Sequence, residues 1–209
     1  NGGAVNFNGA IALNTGANTA ITLDGNAGGT VSFSAAGDGL DIVTTSGTGL
    51  LISGGGTVNV LGGNNSITST SGTLLNVSNA TAGATTLNLN FGAVGNTSGA
   101  NGILISRTAG TLAGSVNIAG GAITATNRGV DLDGDALTFT YGGSITTSGA
   151  TARSVEVTNR TANIATFSGN FTDNALGINI ANNTGGTVSF RGPSIALSAV
   201  ANATALTLT

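Results

Sequence analysis

The chain has 209 residues, 36 of them Gly, with 40% hydrophobic and only 6% charged side chains and a net charge of -3. It contains no Lys, His, Cys, Met or Trp, which removes Ser-His-Asp triads, Cys nucleophiles, zinc sites built on His or Cys, disulfides and Lys-dependent phosphate loops. Five Arg against eight acids leave no nucleic-acid footprint, and no apolar run approaches the roughly 18 residues of a membrane span.

The first predicted element is a strand at the end of "NGGAVNF", with Val5 and Phe7 on one face. Two more follow, carrying Ile11 and Leu13, then Ile21 and Leu23, with Gly, Asn and Thr between them. Apolar-polar alternation in short runs bounded by turn residues signals half-buried strands, and this much Gly does not suit helix interiors. At "AGGTVSF" the cycle restarts with Val31/Phe33, then Leu40/Ile42 and Leu50/Ile52. The third cycle reads Val58/Val60, Ile67, Leu75/Val77, and the fourth Leu87/Leu89, Val94, Ile103/Ile105. Val116/Ile118, Ile123 and Val130/Leu132 make the fifth, and Leu137/Phe139, Ile145 and Val155/Val157 the sixth. The seventh holds Ala165/Phe167, Phe171 and Ile178/Ile180. The eighth opens on "TGGTVSF", with Val188/Phe190, Ile195/Leu197 and Leu206/Leu208.

Each cycle spans about 26 residues, the length of one repeat unit in stacked architectures. A lone three-strand unit cannot bury its apolar faces, whereas stacked units share one continuous core. The fold expected is therefore all-β: a right-handed parallel β-helix, or β-solenoid, with three strands per coil and about eight coils in one segment over residues 1–209. Low charge and regularly placed aliphatics argue against a disordered low-complexity tract. A β-sandwich has no need of one Phe/aliphatic position per cycle. Five of the seven Phe residues, Phe7, Phe33, Phe139, Phe167 and Phe190, are expected in one inward column with Val60, Leu89 and Ile118. "TSG" turns beginning at Thr45, Thr70, Thr97 and Thr147 each precede a strand of the last group. Eight coils at ~4.8 Å make a rod about 38 Å long.

A longer period overlies the short one. Val5, Ile11 and Ile21 are echoed by Val188, Ile195 and Leu206, at offsets of 183, 184 and 185. Coil eight thus copies coil one, which marks a superrepeat of about 183 residues and the chain as a slice of a longer tandem array. Neither end carries a cap in the sequence. The expected assembly ends are Val5, Phe7, Ile11, Leu13, Ile21 and Leu23 on one side and Val188, Phe190, Ile195, Leu197, Leu206 and Leu208 on the other. The partner expected there is the chain itself, head to tail, as separate copies or as covalent repeats.

These "GGTVSF…TSGT" coils resemble the Gly/Asn/Thr-rich parallel β-helix repeats of large bacterial exported proteins, such as autotransporter passengers and filamentous-haemagglutinin-type adhesins. The resemblance covers the whole chain through degenerate repeats. It implies an extracellular or cell-surface location, a part in adhesion or filament building, and surface glycans as a further partner class.

Chemistry has few places to sit. The acids are Asp24, Asp38, Asp41, Asp131, Asp133, Asp135, Glu156 and Asp173, and the only cluster is "DLDGD". Asp131, Asp133 and Asp135 begin like a calcium loop, but Ala136 stands where such a loop needs Gly. With Val130 and Leu132 inward, Asp131 and Asp133 point outward. No metal, cofactor or catalytic residue is therefore expected, and an enzyme acting on polysaccharide ranks last. "RGVD" and "RSVE" should lie one coil apart and cross-pair through Arg128, Asp131, Arg153 and Glu156. Arg107 and Arg160 should flank Asp135 as exposed pairs. An outward ladder of Thr30/Ser32, Thr57/Asn59, Thr86/Asn88, Ser115/Asn117, Ala136/Thr138 and Thr187/Ser189 keeps a glycan- or ice-binding face as the alternative to a purely structural role. Asn-x-Ser/Thr triplets such as Asn76-Val77-Ser78 are no more than so much Asn and Thr produces.

Overall fold

The structure, a computed structural model, describes residues 2–37, 39–78, 83–200 and 203–209. Coil one is β1 (Ala4–Phe7), β2 (Ile11–Gly16) and β3 (Ile21–Asp24), and coil two is β4 (Thr30–Phe33), β5 (Leu40–Thr44) and β6 (Leu50–Ser53). Coil three is β7 (Gly56–Val60), β8 (Ser66–Ser69) and β9 (Leu75–Ser78). In coil four, β10 (Ala84–Asn96) bends around a corner to cover two faces before β11 (Gly99–Ser106). Coil five is β12 (Thr111–Gly120) and β13 (Ala122–Asp133), which again covers two faces. Next come β14 (Thr138–Tyr141), β15 (Ser144–Thr147) and β16 (Arg153–Thr158), then β17 (Ile164–Phe167), β18 (Phe171–Asp173) and β19 (Ile178–Ala181). Coil eight is β20 (Thr187–Phe190), β21 (Ile195–Leu197) and β22 (Leu206–Leu208).

Every strand pair is parallel, and like strands stack on like. The first face runs β1-β4-β7-β10-β12-β14-β17-β20. The third runs β3-β6-β9-β11-β13-β16-β19-β22. Between them lies the second face, with β2, β5, β8 and the end of β10 in one run and the start of β13, β15, β18 and β21 in the other. This is the expected parallel β-solenoid. On the third face the register matches the sequence alignment rung for rung, from Ile21↔Leu50 to Ile178↔Leu206.

The first face departs from the expected alignment. Leu89, not Leu87, pairs with Val116, and Phe139 pairs with Val116 and Ala165. The single Phe column therefore splits in two. Phe7, Phe33, Val60, Leu89, Val116, Phe139, Ala165 and Val188 form one. Phe91, Ile118, Tyr141, Phe167 and Phe190 form the other. The reason is a series of two-residue slips: at coil five Gly114 (φ 98°) lies beside Leu87 and Leu89 meets Val116, at coil six Val116 meets Phe139 rather than Leu137, and at coil seven Phe139 meets Ala165 rather than Phe167. Because alternation repeats every two residues, such a slip leaves every apolar side chain facing inward. Burial accordingly stays as expected: Phe139, Phe167 and Ile118 are fully enclosed.

Corners are closed by polar residues the apolar columns do not reveal. At the corner after the second face, Thr44, Ser69 and Asn96 stack in register with their side chains buried. Thr44 Oγ1 donates to Ser69 Oγ at 2.8 Å, and Asn96 Nδ2 donates to Gly72 O at 3.3 Å. Thr147 and Asp173 continue this polar corner in coils six and seven. The fourth "TSG" thus sits one residue out of step with the other three, since Thr147 itself occupies the inner position. At the corner after the first face, buried Asn65 accepts from Leu40 N and donates to Leu61 O, Gly62 O and Asn90 O.

Candidate functional site

Most of the charged groups, Arg128, Asp131, Asp133, Asp135, Arg153, Glu156, Arg160 and Asp173, lie on the third face and its flanking corners in coils five to seven. There Val130 and Leu132 are buried while Asp131 and Asp133 point outward, as the alternation requires. Register places Arg128 beside Arg153 and Asp131 beside Glu156. Arg128 bridges the two coils by pairing with Glu156, and its Nε lies 4.0 Å from Asp131. Arg153 contacts the same Glu156 at 3.7 Å, so Glu156 is the hub of the cross-pairing. Partial burial, then the neighbouring Glu156 charge, push the Asp131 carboxyl up to about 6, with Asp133 adding to the rise and Arg128 opposing it.

The three Asp residues of "DLDGD" do not converge. Asp133 turns along the face to accept from Thr158 Oγ1 at 3.1 Å and Asn159 Nδ2 at 2.7 Å. Asp135 turns inward and pairs with Arg160, both side chains at 1% exposure or less. Of the two exposed pairs expected for Asp135, the one with Arg160 is buried, and Arg107 does not pair with Asp135. Arg160 also donates to Leu137 O and Ala162 O, and Asp135 accepts from Leu137 N. Asp135 Oδ2 and Arg160 Nε keep no protein partner. Burial raises the carboxyl and lowers the guanidinium, although each partner's charge opposes the other's shift. Among the described residues no three His, Cys, Asp or Glu side chains form a metal-binding group. Asp38 lies outside the described residues.

Asp173 is the acid whose role the sequence reading missed. It is buried at the corner after β18 and accepts from Thr147 Oγ1, Ser154 Oγ and Ser154 N through Oδ2. Its Oδ1 accepts from Ala175 N at 2.7 Å and Gly177 N at 2.9 Å. Burial alone would raise this carboxyl, but the hydroxyl and N–H donors outweigh it and hold the group below the usual carboxylate range. The local signal was present in "DNALG": an Asp bonding N–H groups two and four residues ahead is a turn-forming pattern.

The first face is a contrasting surface, since none of its eight strands carries a charged residue. The slip regroups its outward ladder. Ser32, Asn59, Asn88, Ser115 and Thr138 form one row, and Asn90, Asn117, Thr140, Thr166 and Ser189 another. Within the rows Asn88 donates to Asn59, Asn59 to Ser32, and Asn117 to Asn90.

The assembly-end residues gather at the two ends of the stack. At coil one a hollow of about 350 Å³ is lined by Phe7, Ile11, Leu13, Ile21, Leu23 and Phe33. Val5 and Phe7 there, and Ile195, Leu206 and Leu208 at coil eight, are exposed. Ile11, Leu13, Ile21, Leu23, Val188, Phe190 and Leu197 pack partly against the core. No helix among the described residues is long and apolar enough to cross a membrane. No family model, curated protein or solved structure matches the chain. The repeat and the register together make it a parallel β-solenoid repeat protein.

Proposed function

We propose that the chain is a non-enzymatic structural segment of a bacterial extracellular or cell-surface repeat protein, a rigid rod that serves as an adhesin stalk or as part of a filament. One observation carries this reading: the first and third faces run through eight coils as stacked parallel strands and the second face follows in two parallel runs, so hydrogen bonds line up along the rod axis. The large side chains are spent on the core, and the charged ones on pairs that tie neighbouring coils together. In this reading the parent is a tandem array, in which coil eight leads into the next superrepeat. Two copies joined in tandem and studied by small-angle scattering should then behave as one straight rod about 75 Å long, twice the stacked length. Two compact bodies on a flexible joint would refute the stalk reading.

The uncharged first face favours a second reading, a binding surface for a neutral glycan or for ice. It would be supported by ice shaping, or by saturable binding of an uncharged polysaccharide, that Asn88→Arg abolishes and Asp41→Asn leaves intact.

A further inference from the structure

Between coils six and seven the apolar residues of the first face do not choose their own alignment. The register observed sets Phe139 beside Ala165, Thr140 beside Thr166 and Tyr141 beside Phe167. A shift of two residues would set Phe139 beside Phe167 and keep every inward position inward. That alternative offers a ring on a ring, as Phe7 stacks on Phe33 with centroids 5.1 Å apart and planes at 8°. Corner length barely separates the two registers. Val157 to Ala165 is eight residues and Val157 to Phe167 ten, a span that Leu23 to Phe33 already shows. On the far side Ala165 to Phe171 is six and Phe167 to Phe171 four, against five from Leu89 to Val94.

The polar corner that leads into these strands fits one register only. Asp135 Oδ1 pairs with Arg160 Nη1 across the two coils, with both side chains enclosed. Through Nη2 the same guanidinium donates at 2.8 Å to the carbonyl of Leu137, the last residue before β14. Thr161 N donates to Asp135 O at 3.3 Å, and Asn163, at φ 62°, donates through Nδ2 to Ala136 O. One step earlier Gly134 N donates to Thr158 O at 2.9 Å. These bonds carry the third-face register, in which Asp133 pairs with Thr158, around the corner residue by residue. Moving β17 by two residues would displace it about 7 Å along β14. Apolar columns tolerate that step, but a buried ion pair stretched so far leaves two charges without partners.

We infer that Asp135 and Arg160 select the first-face register between coils six and seven. A buried ion pair gives little net stability over an apolar pair of the same size, yet it tells apart alignments that an apolar pair leaves equivalent. The choice reaches the surface, because it decides which outward residues are neighbours. Thr140 lies beside Thr166 in this register and would lie beside Ser168 in the other.

Disulfide trapping reads the register directly, since the chain has no Cys of its own. Two double-Cys chains are compared, Thr140→Cys with Thr166→Cys and Thr140→Cys with Ser168→Cys. Strand neighbours lie within the roughly 4.4–6.8 Å that a disulfide spans between Cα atoms, whereas positions offset by two residues lie about 8 Å apart. With Asp135 and Arg160 in place only the first pair should close. With Asp135→Leu and Arg160→Met the second pair should close as well, its yield relative to the first rising at least ~10-fold, while circular dichroism shows the β-structure retained. If that variant fails to fold, Asp135→Asn with Arg160→Gln is read in the same way. A folded variant in which only positions 140 and 166 cross-link overturns the inference, and so does closure of the second pair with Asp135 and Arg160 in place. Loss of folding in both variants also overturns it, because a pair that only selects register is dispensable for folding.

Discussion

Gly169 shows how little room a residue has in a stack spaced one strand apart. A Cβ there would lie 1.8 Å from Gly143 O, and one on Gly192 would lie 1.9 Å from Gly169 O. Gly169→Ala should therefore destabilise the chain by about 1–3 kcal/mol, the usual cost of overpacking. Gly9→Ala meets nothing within 4 Å and should be neutral within ~0.5 kcal/mol. Urea denaturation of the two variants side by side checks the contrast. Asp131 offers a pH test. Its folded-state pKa, about 6, lies above the ordinary 3.8, so the folded state holds this proton more tightly than the unfolded chain does. The resulting stability is fully present below about pH 3.8 and is lost as pH rises through about 6. Asp131→Asn should gain about 1–2 kcal/mol at pH 7, discounted for partial exposure, and the gain should vanish toward pH 4 in melts of both proteins. Asp173 has the opposite sign: its lowered pKa contributes stability that disappears as pH falls through the folded value.

At the scale of strands and corners, two kinds of burial hold the coils together. The first-face columns are apolar, and Phe139, fully enclosed, lies with its ring centroid 5.6 Å from that of Phe167. Phe139→Ala should cost about 3–5 kcal/mol in equilibrium unfolding. The corner between the third and first faces relies instead on Asp135 and Arg160. Removing one partner strands a buried charge, so Asp135→Ala should cost about 3–5 kcal/mol. Replacing both, as Asp135→Leu with Arg160→Met, should cost less than the single change, because a well-packed apolar pair avoids the desolvation of both ions. A double variant less stable than Asp135→Ala would mean that the pair is worth more than its desolvation.

For the whole molecule, each coil touches only its neighbours, so stability is a sum along the rod rather than a property of one core. Hydrogen exchange should be slowest in β10 to β16, where coils are covered on both sides, and fastest in β1, β3 and β22 at the ends. Uniform protection from coil one to coil eight in a monomeric preparation would contradict this nearest-neighbour picture.

How much of this was legible in the chain depends on the range of the interaction responsible. Alternation and the repeat are local and periodic, so the residues alone determined the solenoid, the three faces, the entire third-face register and the outward direction of Asp131 and Asp133. The four-residue ends "AVNF" and "TVSF" likewise marked coils one and eight as equivalents. Only the tertiary structure decided the first-face register, because a slip of two residues preserves every inward position and costs nothing in pattern; Phe139 and Phe167 fall in different columns for that reason. It also decided which polar residues close the corners. Whether Asp135 faces water or Arg160, and whether Asp173 is a surface acid or the acceptor of five hydrogen bonds, depends on donors 19 to 26 residues away in sequence as well as on nearby ones. Stacking brings such donors within reach, and no spacing along a single coil reveals them.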